Sequence, residues 1–138
     1  MRRQLFQRIP KRSYHIRFTK HDEYFRYDEN DETVTFGISD FAQKQLGDIV
    51  FVDLPTVGQQ FGVNDQVAAV ESVKAASDIN IPVEGVVTEI NSELENDPSI
   101  INKDAHSEGW FFKFTPNSID DIENNSMDED TYLASKKD

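Results

Sequence analysis

Apolar residues recur at every second position in short runs along much of the chain. Tyr14, Ile16 and Phe18 alternate with polar neighbours, and Val34, Phe36 and Ile38 do so in TVTFGI, after the turn-like DENDE. A period of two turns one face of a strand inward, so both segments are expected as strands. DIVFVDL (48–54) is a continuous β-branched and aromatic run, the pattern of a strand buried on both sides, and Pro55 and Gly58 end it. Further strand runs are QVAAVESV (66–73), DINIPVEGVVTEI (78–90, interrupted at Pro82 and Gly85) and EGWFFKF (108–114). In the last, Trp110, Phe112 and Phe114 share one face, with Phe111 and Lys113 on the other, and Trp110 is expected in the core. Gly85 is expected to permit a bend or a positive φ.

Two segments carry helical spacing instead. In SDFAQKQLG (39–47), Ser39 or Asp40 caps the start, Gly47 closes the end, and Phe41 and Leu46 turn inward. Near the C-terminus, Ser126-Met127-Asp128-Glu129 has capping-box spacing, Tyr132 and Leu133 give a short apolar face, and Lys136 and Lys137 follow. NSIDDIENN (117–125) reads as one more short helical turn. Many short strands with few helices predict a mainly β fold, a sandwich or flattened barrel with a short helix near 39–46 and a C-terminal helix. Parallel α/β is disfavoured, because crossovers need more helices.

Composition narrows the function. The chain has 138 residues, enough for one folded unit, taken as 14–138 behind a basic segment at 1–13. No cysteine is present, which removes disulfides, thiolate metal sites and a cysteine nucleophile. His15, His21 and His106 have no metal-ligand spacing, and no triad or phosphate loop marks an enzyme. No apolar run approaches the ~20 residues of a membrane span. The formal charge of -12 is unevenly distributed. Residues 1–21 carry seven Lys/Arg and no acid, while the rest carries seven basic and all 26 acidic side chains, a net of -19. Such a body repels phosphates and anionic lipid, so nucleic acid and membrane are disfavoured as partners and basic protein surfaces are favoured. The Arg-rich start MRRQLFQRIPKRS has the composition of an organelle transit peptide; a basic tail without targeting role and, third, a nucleic-acid-binding arm are the other readings.

One lysine stands apart. VAAVESVKAASDINIP reads as strand, tip, strand, with Lys74 at or beside the tip and small residues after it. It is the only lysine between Lys44 and Lys103. A modifying ligase needs such a protruding amine, which it can wrap and bring to an activated acyl group. A solvated loop lysine is the plainer reading of the spacing alone.

These residues resemble the H proteins of the glycine cleavage system, a family of lipoyl carriers. ESVKAASDINIPVEGVVTEIN (71–91) is similar to the family's attachment segment, and VTFGISDFAQKQLGDIVFVDLPTVG (34–58) and NDPSIINKDAHSEGWFFKF (96–114) extend the likeness. Biotin carriers usually flank the lysine with methionines, where Val73 and Ala75 stand here. There are departures. Thr19-Lys20-His21-Asp22-Glu23-Tyr24 resembles the family's T-K-x-H-E-W with Asp22 in place of His and Tyr24 in place of Trp. Gln45 stands where some members have His.

The resemblance implies a lipoyl/biotinyl-type barrel sandwich hybrid with lipoic acid joined as an amide to Lys74, at a tip formed with Glu71, Ser72, Val73 and Ala75. It implies a non-catalytic carrier that takes an aminomethyl group from glycine decarboxylase to an aminomethyltransferase and electrons to dihydrolipoamide dehydrogenase. A lipoate ligase or a lipoyl/octanoyl transferase would attach the arm. Glu23 and Asp78 align with an acidic cleft that shelters the loaded arm. Ser72 is expected in a hairpin hydrogen bond, and His106 has no assigned role. Read as a transit peptide, the basic start places the protein in the matrix of a mitochondrion or a related organelle, with the cytoplasm as alternative. A lipoyl relay protein that donates its group to other carriers, or a β-rich interaction module with an unmodified Lys74, would share much of this pattern.

Overall fold

The computed structural model describes residues 14–28 and 30–136. The basic segment 1–13, Lys137 and the readings placed on them lie outside these residues. The described strands form two antiparallel sheets. The larger has the order β1 (Tyr14–Phe18), β2 (Glu23–Asp28), β3 (Val34–Ile38), β9 (Phe112–Pro116), β8 (Gly85–Ile90) and β5 (Gln60–Phe61). The smaller has the order β4 (Ile49–Asp53), β6 (Gln66–Ser72) and β7 (Ala76–Asn80). The sheets do not close on each other, so the result is a flattened sandwich.

Alternation places Phe36, Phe112 and Phe114 in the core as expected, but not the edge strand β1, where Phe18 is buried, Ile16 half-buried and Tyr14 50% exposed. Phe25, Phe36, Phe112 and Phe114 of the larger sheet are fully buried, with ring centroids 5.1–6.0 Å apart. Ile49, Val52, Val67, Val70 and Ile79 of the smaller sheet join the same cluster. β3 is buried along its whole length, since β2 and β9 flank it. At Gly37 a Cβ would lie 2.7 Å from the Tyr24 hydroxyl, so glycine is what lets Tyr24 lie across the strand. Tyr24 is held there by donating to the Ala105 carbonyl at 2.8 Å.

Several expectations need correction. The run 48–54 is not buried on both sides: in β4 only Ile49 and Val52 are buried, and Val50 and Phe51 are 53% and 54% exposed. β4 is an edge strand of the small sheet, so its outer face has no layer above it. Trp110 is not core but half-buried, with the Lys113 ammonium 5.2 Å from its ring. Phe111, expected opposite the aromatic face, is fully buried. Gly85 serves a close approach rather than a positive φ, since a Cβ there would sit 2.6 Å from the Thr115 carbonyl oxygen. Residues 78–90 do not form one interrupted strand: β7 and β8 lie in different sheets, joined across Pro82.

The described helices number five, more than the segments expected. α1 (Asp40–Leu46) runs as expected, capped by Ser39 Oγ accepting from the Ala42 N–H and ended at Gly47 with φ 84°. Phe41 and Leu46 are half-buried, and Gln43 is the buried member. α2 (Glu93–Asn96) and α3 (Ile100–Lys103) are single turns that plug the core with Leu94 and Ile101. Ser92 and Ser99 stand at their N-cap positions without making a side-chain cap, and neither helix was expected from the sequence. α4 (Ile119–Asn124) matches the short turn at 117–125. α5 (Glu129–Ser135) is capped by Asp128 accepting from Thr131, not by Ser126, and buries Tyr132 while Leu133 stays 51% exposed.

A second apolar cluster decides where the site lies. Phe18, Tyr24 and Tyr132 pack together with Ile16, Phe41 and Met127 at one end of the larger sheet. Phe18 and Tyr132 stack at 4.4 Å with planes 8° apart. Backbone bonds between Phe18 and Met127 at 2.8 Å in both directions seat α5 against β1.

Candidate functional site

The Lys74 hairpin is built by local hydrogen bonds. The Ser72 N–H donates to the Ala75 carbonyl at 2.7 Å, so that between the paired Ser72 and Ala75 the loop is only Val73 and Lys74. Ser72 Oγ accepts from the Lys74 and Ala75 N–H groups at 3.2 and 3.1 Å, which satisfies the turn from within. The Val73 N–H donates to the Asp48 carbonyl at 3.0 Å and ties the tip to the end of α1. Glu71, Val73, Lys74, Ala75 and Ala76 are all exposed. The Lys74 stem passes over Gly47, where an added Cβ would lie 3.4 Å from Lys74 Cε. The hairpin therefore presents one exposed amine on a turn whose backbone is fixed by its own hydrogen bonds.

Beside this hairpin lies a cleft of about 1020 Å³. Its walls come from the 19–23 turn, α1 through Ala42, Gln45 and Leu46, β7 through Ser77 and Asp78, and the α4–α5 link at 124–127. Glu23 and Asp78, singled out in the sequence, both line it; Lys74 does not. Asp78 stands four residues beyond Lys74, about 13 Å at the rise of a strand. Its carboxylate accepts from Gln66 Nε2 at 3.3 Å.

Glu23 is the chemically distinctive wall residue. It is 6% exposed, and burial lifts its carboxyl from the usual range to about 7. A hydrogen bond from Thr19 opposes that rise and the charge of Asp22 adds to it. Thr19 knots the turn: its hydroxyl donates to Glu23 Oε1 at 2.5 Å and accepts from the Glu23 N–H at 3.2 Å. A carboxyl poised near neutrality can take a cation from solvent by releasing its own proton.

Sequence reasoning missed the residues that hold this turn. Asp22 adopts φ 75°, in the left-handed region. Its Oδ1 accepts from the Tyr132 hydroxyl at 2.8 Å and pairs with Lys136 Nζ at 2.7 Å. These partners lie 110 and more positions away, so no local pattern could reveal them. His106, left without a role, accepts from the Asp40 N–H through Nε2 at 2.9 Å and packs against Phe18 and Tyr24. Burial holds its pKa below the usual value, so the neutral ring caps α1.

Two antiparallel sheets in a flattened pair, with one lysine on a hairpin tip beside a cleft that Glu23 and Asp78 line, place the chain in the class of β-sandwich domains. Comparison with known proteins gives the particular family. The model of the glycine cleavage H-protein family matches residues 16–138, and the chain belongs to that family. The glycine cleavage system H protein of Psychrobacter cryohalolentis is 55% identical over 95 residues, 69% of this chain and 75% of that protein. That of Methylocella silvestris is 48% identical over 122 residues, 86% of this chain and 93% of its own length. Among solved structures, the crystal structure of the H protein from Mycobacterium marinum superposes with a TM-score of 0.78 at 28% identity, covering 87% of this chain and 94% of that one.

Proposed function

We propose that the chain is the lipoyl-carrying shuttle of a glycine cleavage system, with lipoic acid held as an amide on Lys74. The observation that carries this reading is the exposed Lys74 on a preformed two-residue turn whose following strand borders the Glu23 cleft. The residues suit the group: the neighbours Ala75 and Ala76 are small and exposed, and the lysine stem lies over Gly47, which has no side chain to crowd it. When attached, the group supplies a dithiolane at the end of a long tether, which replaces diffusion between partners with a local search. Ser72 fixes the turn for modification, while Glu71 and Val73 offer the modifying enzyme a charge and an apolar contact beside the lysine.

Glu23 and Asp78 give the cleft its preference for a cation. An aminomethyl amine is protonated at neutral pH. Glu23 ionises against it and accepts its hydrogen bond, and the apolar floor of Ile38, Leu46 and Met127 limits water. The chain itself makes no bonds in this reading. The partners are glycine decarboxylase, aminomethyltransferase and dihydrolipoamide dehydrogenase, with a lipoate ligase or lipoyl/octanoyl transferase for attachment. Residues 14–138 act as the single carrier unit. The relatives named above are bacterial, which supports a cytoplasmic setting; a mitochondrial or related organellar one rests on the composition of residues 1–13 alone. The sequence of the mature N-terminus decides between them, with a start near Ser13 marking import.

Co-expression with a lipoate ligase followed by intact mass measurement tests the reading. One lipoyl amide is expected on the wild type and none on Lys74→Arg. An unshifted wild-type mass would leave the unmodified interaction module. Turnover of glycine with the decarboxylase separates the carrier from a lipoyl relay protein.

A further inference from the structure

The C-terminal helix reaches the acidic cleft through one residue. Asp22 lies at the apex of the Thr19–Glu23 turn, next to the carboxyl that faces the cleft. A non-glycine residue at φ 75° holds that conformation against a local preference for negative φ, so something must keep it there. Three contacts do. The Asp22 carbonyl accepts from the Ser39 N–H at 2.8 Å, and its carboxylate takes the Tyr132 hydroxyl and the Lys136 ammonium. The Tyr132 proton goes to Asp22, so Ser39 Oγ donates to the Tyr132 oxygen, 2.7 Å away, while accepting from the Ala42 N–H. Lys136 is held in turn over the Phe41 and Tyr132 rings, at 4.8 and 5.3 Å.

We propose that Tyr132 of α5 and Lys136, the residue that ends this helix, are positioning residues for the Glu23 carboxylate, acting through the left-handed turn at Asp22. Neither lines the cleft, so neither touches what the cleft holds. Their effect is geometric: with Asp22 pinned, Thr19 and Glu23 close on each other, and Glu23 stays buried with its hydroxyl partner in place. Without the pin, the turn relaxes toward negative φ and Glu23 swings toward water. The role assigned to Glu23 rests on the carrier reading, but the geometry of the latch does not.

The test therefore uses protein that carries no lipoyl group. In Tyr132→Phe the ring stack on Phe18 is kept and no charge changes. The titratable and charged groups around Glu23 stay as they are: Asp22, Lys20 and His21 on its own turn, Asp78 on β7 and Lys136 at the end of α5. Carboxyl titration by carbon NMR should then show Glu23 moving down from about 7 by at least half a unit, about a threefold fall in proton affinity. An unmoved midpoint in the folded variant overturns the proposal. Lys136→Met gives a second reading by hydrogen exchange. The Glu23 and Ser39 amides should exchange about threefold to tenfold faster, with Phe36 unchanged, and Lys136→Arg should restore them. Equal acceleration of all three amides would mean general destabilisation and overturn it too. Release of ammonia from the aminomethyl-loaded protein is measured last, with Glu23→Gln alongside. If Glu23→Gln releases no faster than wild type, the cleft reading fails while the titration still judges the latch.

Discussion

The hairpin tip and the cleft beside it are built in opposite ways. Four consecutive residues, Ser72 to Ala75, make the tip, and its hydrogen bonds run among themselves or to Asp48 next door. The cleft takes its walls from six separate stretches, between Thr19 and Met127. The tip is exposed and leaves its working amine in water, whereas the cleft buries a carboxyl and lifts its pKa to about 7. A surface that must be handled by other proteins can thus be local and cheap in stability. An environment that changes the chemistry of a side chain needs long-range packing and works against the fold.

The largest effect that tests this contrast is at the tip. Lys74→Arg should abolish lipoylation and glycine oxidation in a reassembled system while leaving the melting temperature unchanged, since the side chain is exposed and the turn is held by Ser72. A marked fall in melting temperature would show that the lysine stem over Gly47 is structural, and the contrast would weaken.

Next comes the cleft, where stability should depend on pH. The Glu23 carboxyl binds its proton more tightly in the folded chain, at about 7, than with its ordinary value of 4.5. Between these values the folded state holds more protons than the unfolded one, so stability falls as pH rises and the full loss is reached above 7. The size is about 3 kcal/mol. Glu23→Gln keeps an acceptor for Thr19 and removes the ionisation. Denaturant titrations should show its advantage over wild type growing from pH 5 to pH 8 and levelling off below pH 4.5. The same variant should release ammonia faster from the loaded protein, so that stability and protection of the cargo trade against each other. An advantage independent of pH would mean that Glu23 is not the buried acid of the cleft. His106 acts in the other direction. Its folded pKa is lowered, so the stability it contributes is lost as pH falls through its folded value, and melting curves below pH 6.5 should show the loss diminished in His106→Gln.

The same contrast explains what the sequence made legible. Lys74, Ser72 and the strands around them could be read because period-two alternation, small residues and one lysine lie within a dozen positions. The sandwich followed from strand count and scarcity of helices. Phe51 misled, because a continuous apolar run on an edge strand looks the same as one in the middle of a sheet until the neighbours are known. Ser126 misled because two capping patterns overlap there and Asp128 is the one whose carboxylate reaches the Thr131 N–H, at 2.8 Å. Glu23 was found only through the family resemblance. Asp22 showed only as a departure from the family pattern, and Tyr132 and Lys136 only as parts of a C-terminal helix; that they meet carried no signal, since it depends on Phe18 and Met127 bringing α5 across β1.

The smallest effect bears on whether the tip is preformed. Ser72 is buried although it adjoins the exposed lysine, and its hydroxyl serves two amides of the turn. Ser72→Ala should cost about 1 kcal/mol in denaturant unfolding. The Glu23 titration should not move, because no bond of Ser72 reaches the 19–23 turn. Lipoylation should slow about threefold to tenfold, since the ligase must then order Val73 and Lys74 itself. Ser72→Thr keeps the hydroxyl on a residue that suits a strand and should regain most of the rate. If Ser72→Ala is modified as fast as wild type, the modifying enzyme supplies the shape of the turn, and the tip is merely exposed rather than built.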